Sequence, residues 1–355
     1  MPVRKTSVAW LILGVILIAG AVIIKFVALP SMMKLPADLN QSQKYEGTMQ
    51  ALNPQAFASN DLAHLLTPEV PISADRSLKV DAVDGDTAIV TSKALLNLPD
   101  GSKRPDVHTY AVSRVDFTPV NLSRDQERSL VSANEGATFE RHTGVAFSWP
   151  MNPPKDGTAL YDPVTRTAQV AAFSGEGNVE GRDVYYYRVD AAGSVASPAV
   201  LAQFKSFPRQ LPKAVVAGLL QADIVPASSL AALSSALPSM PDLIDIHFTS
   251  ANVINLAVDR EFGAPLNVDQ TQSIYASIPV DGKDVPALPL SIVKLHPAGS
   301  EVASAAHTLQ KNATLLSAGG TWVPIVLVVL GIIGAAVGIV RWRNPSHSQR
   351  NSMTS

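Results

Sequence analysis

Two uninterrupted apolar runs stand near the ends of this 355-residue chain, 8–24 (VAWLILGVILIAGAVII) and 322–340 (WVPIVLVVLGIIGAAVGIV). A helix needs about 20 residues, rising 1.5 Å each, to cross a hydrocarbon layer of roughly 30 Å. Each run therefore predicts a membrane span, and the segment between them must fold outside the bilayer. Basic residues flank the outer ends of both runs: Arg4 and Lys5 before the first, Arg341, Arg343 and Arg350 after the second. Such residues stay on the cytoplasmic side, so both termini are expected inside, with the main domain on the outer face of the plasma membrane. Trp10, Phe26, Trp322 and Trp342 lie towards span ends, where amphipathic rings favour the headgroup zone.

A cleaved secretory leader is the competing reading of the first run. Its apolar region is about 7–15 residues and closes on a small-residue cleavage pattern. The run here is longer, and residues 25–30 (KFVALP) lack that pattern, which predicts an uncleaved anchor. Lys25 does not oppose a span, because its aliphatic stem lets the amine reach the outer interface. The expected layout is 1–7 cytoplasmic, 8–29 first span, 30–321 extracytoplasmic, 322–340 second span and 341–355 cytoplasmic tail.

The outer segment is long enough to bury its own core. The chain has no Cys, which excludes thiol catalysis, Cys zinc sites and iron–sulfur clusters. A formal net charge of −2 gives no electrostatic footprint for nucleic acid. Only 16% of residues are charged, and 26 prolines point to many short elements separated by turns.

Residues 29–50 read as a polar connector. Asn53-Pro54 starts a short helix, since Asn caps well and Pro suits the first helical position; its apolar side is Leu62, Leu65 and Leu66. Residues 77–98 read as two strands turning at Asp84-Gly85. Alternation over 107–120 predicts another strand, and Ser123 with Gln126 resembles a capping box for a helix to 133. Residues 165–190 read as a hairpin whose turn holds Gly175, Gly177 and Gly181. A helical insertion at about 208–238 carries two Ala/Leu-rich helices, about 213–223 and 227–237. Strands resume at 243–258, 272–279 and 288–296, and 300–316 is a helix feeding the second span. The expected fold class is mainly β (α+β): an antiparallel, barrel-like sheet with helical insertions, flanked by two transmembrane helices.

Chemistry is faint. Ser291-x-x-Lys294 and Ser31-x-x-Lys34 match a Ser/Lys nucleophile spacing, but the companion motifs are missing, and residues three apart in a strand point to opposite faces. The seven histidines are scattered, and Asp81, Asp84 and Asp86 are ordinary turn formers. Gly175-x-Gly177-x-x-x-Gly181 has the wrong spacing for a dinucleotide site. No catalytic residue, metal or cofactor is predicted. Three features point to binding, each with a structural alternative. Leu219, Leu220, Leu230 and Leu233 can face a lipid or pack on the sheet. Tyr185 and Tyr187 share a strand face suited to sugar stacking or to cross-strand pairing. Gly331, Gly334 and Gly338, opposite Gly14, Gly20 and Ala21, can pack the two spans closely or be tolerated passengers.

The layout resembles a family of actinobacterial envelope proteins, the porin-like PorA family. The likeness rests on the two terminal spans, His108 to Arg114, Gly144 to Pro150, Tyr161 to Arg166, Val179-Glu180-Gly181 before Val184 to Tyr187, and Val258 to Gly263. Phe262 replaces the usual Thr of the last motif, and the acidic residue expected around Ser113–Arg114 is absent. The resemblance implies a cell-envelope role, with some members linked to maturation of mannose-rich lipoglycans. The two-span layout is also similar to that of scavenger-receptor proteins with lipid-tunnel ectodomains. Together these point to binding or handing on a membrane lipid or lipid-linked glycan. The alternatives are a non-catalytic scaffold for envelope glycosyltransferases and an oligomeric channel. A channel meets an objection: outer-membrane barrels cross with many strands of about 10 residues and contain no helical spans. Two apolar helices can line a pore only as a homo-oligomer.

Overall fold

The computed structural model describes residues 5–133, 138–222 and 224–343. The chain forms two compact units, Met1–Lys34 with Thr308–Ser355, and Leu35–His307.

The first unit begins with α1 (Lys5–Ile23), continues through a π-helical turn at Ile24–Ala28 and closes with α2 (Leu29–Met32). The expected connector at 29–50 is therefore helical as far as Met32 and a sheet strand from Asn40 on, which leaves only 33–39 as connector. Lys25 does not break the helix, because its long stem carries the charge outward from an otherwise apolar turn.

In the second unit, β1 (Asn40–Ala51) leads to α3 (Pro54–Ala58), whose N-cap Asn53 accepts from the amides of Gln55 and Ala56 at 3.1 and 3.3 Å. This helix ends earlier than its apolar pattern suggested; Leu62 belongs to a separate 3-10 turn, Leu62–His64. β2 (Val70–Asp84) and β3 (Thr87–Asn97) pair around the two-residue turn Gly85-Asp86. β4 (Lys103–Ser113) starts before and stops short of the expected strand. Phe117 takes a left-handed backbone (φ 60) that ends the alternation. α4 (Arg124–Ala133) carries the capping box as read: the Gln126 side chain accepts from Ser123 N at 2.9 Å, and Gln126 N donates back to Ser123 Oγ at 3.3 Å.

β5 (Thr138–Phe139) follows, then a small hairpin of β6 (Ala159–Asp162) and β7 (Thr167–Val170). β8 (Ala172–Val179) and β9 (Arg182–Ser194) turn at Glu180-Gly181. Gly175 and Gly177 are thus strand residues, not turn. Gly175 sits at a bulge, and Gly177 lies under the ring of Tyr186, where a Cβ would come within 2.6 Å of it. Then come α5 (Pro198–Gln203), β10 (Gln210–Pro212), α6 (Lys213–Gln221), α7 (Ala227–Ala236), β11 (Leu243–Asp245), β12 (His247–Asp259), β13 (Pro265–Val280) and β14 (Lys283–Pro297). α8 (Gly299–Ser317) crosses from the second unit into the first, where a second π turn, Ala318–Trp322, leads into α9 (Val323–Arg343).

Ten strands form one sheet in the order β5-β4-β3-β2-β1-β14-β13-β12-β9-β8. Every pairing in it is antiparallel except the two-residue β4–β5 contact. Its edges, β5 and β8, do not pair with one another among the described residues, so there is no closed barrel. The sheet curls nonetheless. Arg76 on β2 donates to Gln270 on β13 at 2.5 Å, although two strands separate them. In a flat sheet those strands would lie about 14 Å apart. Pro286 and Pro289 break the usual rule against proline in a central strand. They are tolerated because β1 pairs only with Ser291–Pro297 and leaves that half of β14 without a strand neighbour on one side.

Two cores fill the unit. One packs Tyr45, Val90, Tyr110, Val112, Trp149, Tyr187 and Leu256 between the two arms of the curl. The other packs Leu211, Val216, Leu219, Leu233, Phe248, Ile278 and Leu288 beneath α6 and α7.

Candidate functional site

The residues singled out from sequence separate into packing and surface. Leu219 and Leu233 are fully buried in the second core, Leu220 is half-buried and Leu230 is exposed. α6 and α7 pack on β14, so the helix pair is sealed against the sheet. Tyr187 is also buried. Its ring stacks on Trp149 at 5.2 Å, its hydroxyl donates to Pro154 O at 2.7 Å, and burial pushes its pKa up to about 12. Tyr185 is half-buried, edge-on to Phe173, with Lys155 and Arg260 at 5.4 and 5.0 Å from its ring centre. Both cations are held by Glu176, at 2.5 and 3.3 Å.

Residues of the motifs that carry the resemblance, joined by Arg182, Asp106 and Glu140 from outside them, assemble two buried ionic centres. In the first, the Arg182 guanidinium forks onto the fully buried Asp259 at 2.7 and 3.1 Å. Asp259 Oδ1 also accepts from the amides of Glu261 and Phe262, shaping the turn to Gly263. Gly263 has φ 68, and a Cβ there would come 2.2 Å from Pro150 O; Trp149 N donates to Gly263 O at 3.0 Å. Only glycine satisfies both the left-handed backbone and that approach. In the second centre, Glu140, 2% exposed, accepts from Tyr161 at 2.9 Å, from Arg166 at 3.0 and 2.9 Å, and lies 3.1 Å from His108 Nδ1. His108 Nε2 faces Asp106 at 2.8 Å. Tyr161 and Arg166 converge on Oε2 and His108 meets Oε1, so both oxygens of this buried carboxylate are already engaged within the fold. Among the described residues no group of three or more His, Asp or Glu is arranged to hold a metal. Sequence spacing could not reveal this centre, because its members come from β4, β6, the β6–β7 turn and a loop.

The first unit holds an open apolar cleft. Both of its spans are long and apolar enough to cross a membrane. They touch where Gly14 meets Gly331 and Ala335: a Cβ on Gly14 would lie 2.6 Å from Gly331 O, and one on Gly331 would lie 2.7 Å from Ile18. Gly334 is buried in the same helix; the surroundings of Gly338 lie outside the described residues. Gly20 faces open space instead. Gly331→Leu is expected to force the backbones apart at a cost of about 1–3 kcal/mol. Thermal unfolding of the full-length protein in detergent measures this, with Gly20→Leu as a control that should change little.

Further along the pair lies a cleft of about 250 Å³ lined by Ala21, Val22, Phe26, Pro324, Ile325 and Val328, with Lys25 on its wall. Both π turns lie at this end of the pair, Ile24–Ala28 in one helix and Ala318–Trp322 in the other, with Leu29 seated against Gly320. An extra residue per turn widens a helix and re-aims its side chains, and such turns are frequent at functional sites. Lys25 and its ability to reach the interface were legible from sequence; the cleft was not, since residues from opposite ends of the chain line it.

A family model described as Porin PorA matches residues 6–340. No curated protein matches the chain. Among solved structures, Rv2717c from M. tuberculosis overlaps at 8% identity and a TM-score of 0.21, covering 72% of this chain and 91% of that one. The dehydratase domain from the CurF module of curacin polyketide synthase overlaps at 9% identity and a TM-score of 0.11, covering 72% and 75%. Neither overlap is close enough to argue from.

Proposed function

This chain belongs to the PorA family, and from that premise we propose that it is a non-enzymatic membrane protein of the cell envelope that binds a lipid between its two spans. The observation that carries this reading is the apolar cleft with Lys25 on its wall. A lipid tunnel through the β unit has no comparable support, because that unit is filled by two packed cores. Both ends of the β unit continue into spans. In this reading the termini are cytoplasmic, and the β unit is held at the outer face, where lipid-linked glycans and the glycosyltransferases that use them are at hand. Mass spectrometry of the full-length protein after gentle extraction should find about one lipid retained per span pair. Val328→Trp, which fills the cleft, should release it. Protein that carries no lipid, or that keeps it after the cleft is filled, overturns the proposal.

The family description favours a second reading, an oligomeric channel. Against it, the described faces of both spans are apolar, with no polar stripe to wet a pore. Planar bilayer recordings of purified protein should show no conductance above background; steady unitary currents would establish the channel.

A further inference from the structure

We infer that the cleft between the spans selects an anionic glycerophospholipid of the surrounding leaflet, with Lys25 as the cation that meets its phosphate; this rests on the lipid-binding reading above.

Depth is the first argument. Lys5 and Lys25 are 20 residues apart, as are Trp322 and Trp342. Each interval is about 30 Å of helix, the thickness of the hydrocarbon core. Lys25 and Trp322 therefore mark one boundary of that core, the one from which the chain leaves for the β unit. Both lie in the π turns. Phosphates gather at that level, and the apolar walls at Ala21, Val22 and Val328 run inward from it, where an acyl chain would lie.

Charge is the second argument, and it is independent. The membrane unit, 1–34 with 308–355, carries eight basic residues and not one Asp or Glu. All 30 acidic residues fall in the β unit. No Asp or Glu of its own unit is there to neutralise Lys25, which is exposed on the cleft wall. A cation beside hydrocarbon is costly unless it reaches the interface or pairs with an anion. The phospholipid phosphate supplies that anion while its chain covers the apolar walls. A neutral or zwitterionic lipid would satisfy the walls but compensate the ammonium less completely.

The test uses full-length protein in nanodiscs of equimolar phosphatidylglycerol and phosphatidylcholine with identical chains, followed by native mass spectrometry of the lipid retained on extraction. Wild type should retain phosphatidylglycerol about fivefold over phosphatidylcholine, the equivalent of roughly 1 kcal/mol for one lysine near a charged surface. Lys25→Gln should bring the two to parity through loss of retained phosphatidylglycerol, while Lys25→Arg and Lys34→Gln should keep the preference. Parity in wild type, a preference that survives Lys25→Gln, or an equal loss in Lys34→Gln overturns the inference and leaves lipid binding standing. Absence of any retained lipid removes the reading beneath it instead.

Discussion

Asp259→Ala is expected to cost the folded protein about 3 kcal/mol, read as a lower urea midpoint for the full-length chain in detergent followed by near-UV circular dichroism. Removing one partner of a buried ion pair typically costs about 3–5 kcal/mol, because the other charge is left without compensation. Here the Arg182 side chain is 10% exposed and Asp259 is fully buried. Glu261 keeps one contact with Arg182 at 3.0 Å, which places the loss at the lower end. A second loss adds to the first: the amides of Glu261 and Phe262 lose their acceptor, and the turn they form seats Trp149 through Gly263. Asp259→Asn keeps an acceptor for that turn and should cost less. Asp190→Ala is the contrast. Its pair with Arg188 is more than half exposed, and such surface pairs contribute about 0–1 kcal/mol. If Asp259→Ala unfolds no more easily than Asp190→Ala, the turn is held by packing alone.

The same residues explain what could and could not be read from the sequence. Local signals transferred well. Asn53 and Ser123 cap helices where their spacing said they would, because a cap depends on three or four neighbouring residues. The hairpin read at Asp84-Gly85 forms one residue further on, turning at Gly85-Asp86. Gly175 and Gly177 misled because glycine marks both turns and strands that pass under a ring, and only the position of Tyr186 distinguishes them. The apolar stripe of α6 and α7 was visible, but whether Leu219 faced a ligand or the sheet was set by β13 and β14, more than 40 residues further on. The spans were the plainest feature of all. Their crossing at Gly14 and Gly331 could be suspected from small residues, yet the cleft beyond it is lined by residues from opposite ends of the chain, whose meeting no residue pattern announces. The motifs that carry the resemblance answer a different question from the one they raise. Trp149, Asp162, Arg166, Asp259 and Gly263 hold loops to the sheet, so they describe how the β unit is built and leave the binding chemistry to the membrane unit.

The Glu140 centre predicts a pH profile whose two sides have opposite signs. Burial pulls the His108 pKa down, but the hydrogen bonds and charges of Asp106 and Glu140 outweigh it and push it up to about 9. A raised pKa stabilises the fold fully below the unfolded value of about 6.5, and that contribution is lost as pH rises from there to about 9. A shift of this size corresponds to roughly 3 kcal/mol. Glu140 moves the other way: burial raises its pKa, but His108, Tyr161 and Arg166 together hold it below the ordinary carboxylate value. Its contribution is therefore present above about pH 4.3 and is lost as pH falls through the depressed value. The urea midpoint of the wild type should be highest between these limits, near pH 5–6.5, and fall towards pH 9. Glu140→Gln should lower the midpoint by the equivalent of about 3 kcal/mol at pH 6, since it leaves Arg166 and His108 facing a neutral amide. It should also flatten the alkaline slope, because only Asp106, half exposed, remains to hold the imidazolium. His108→Gln should flatten that slope while leaving the acid side steep. A wild-type midpoint that does not change between pH 6.5 and 9 would mean that His108 is neutral in the folded protein and that Glu140 is held by Arg166 and Tyr161 alone.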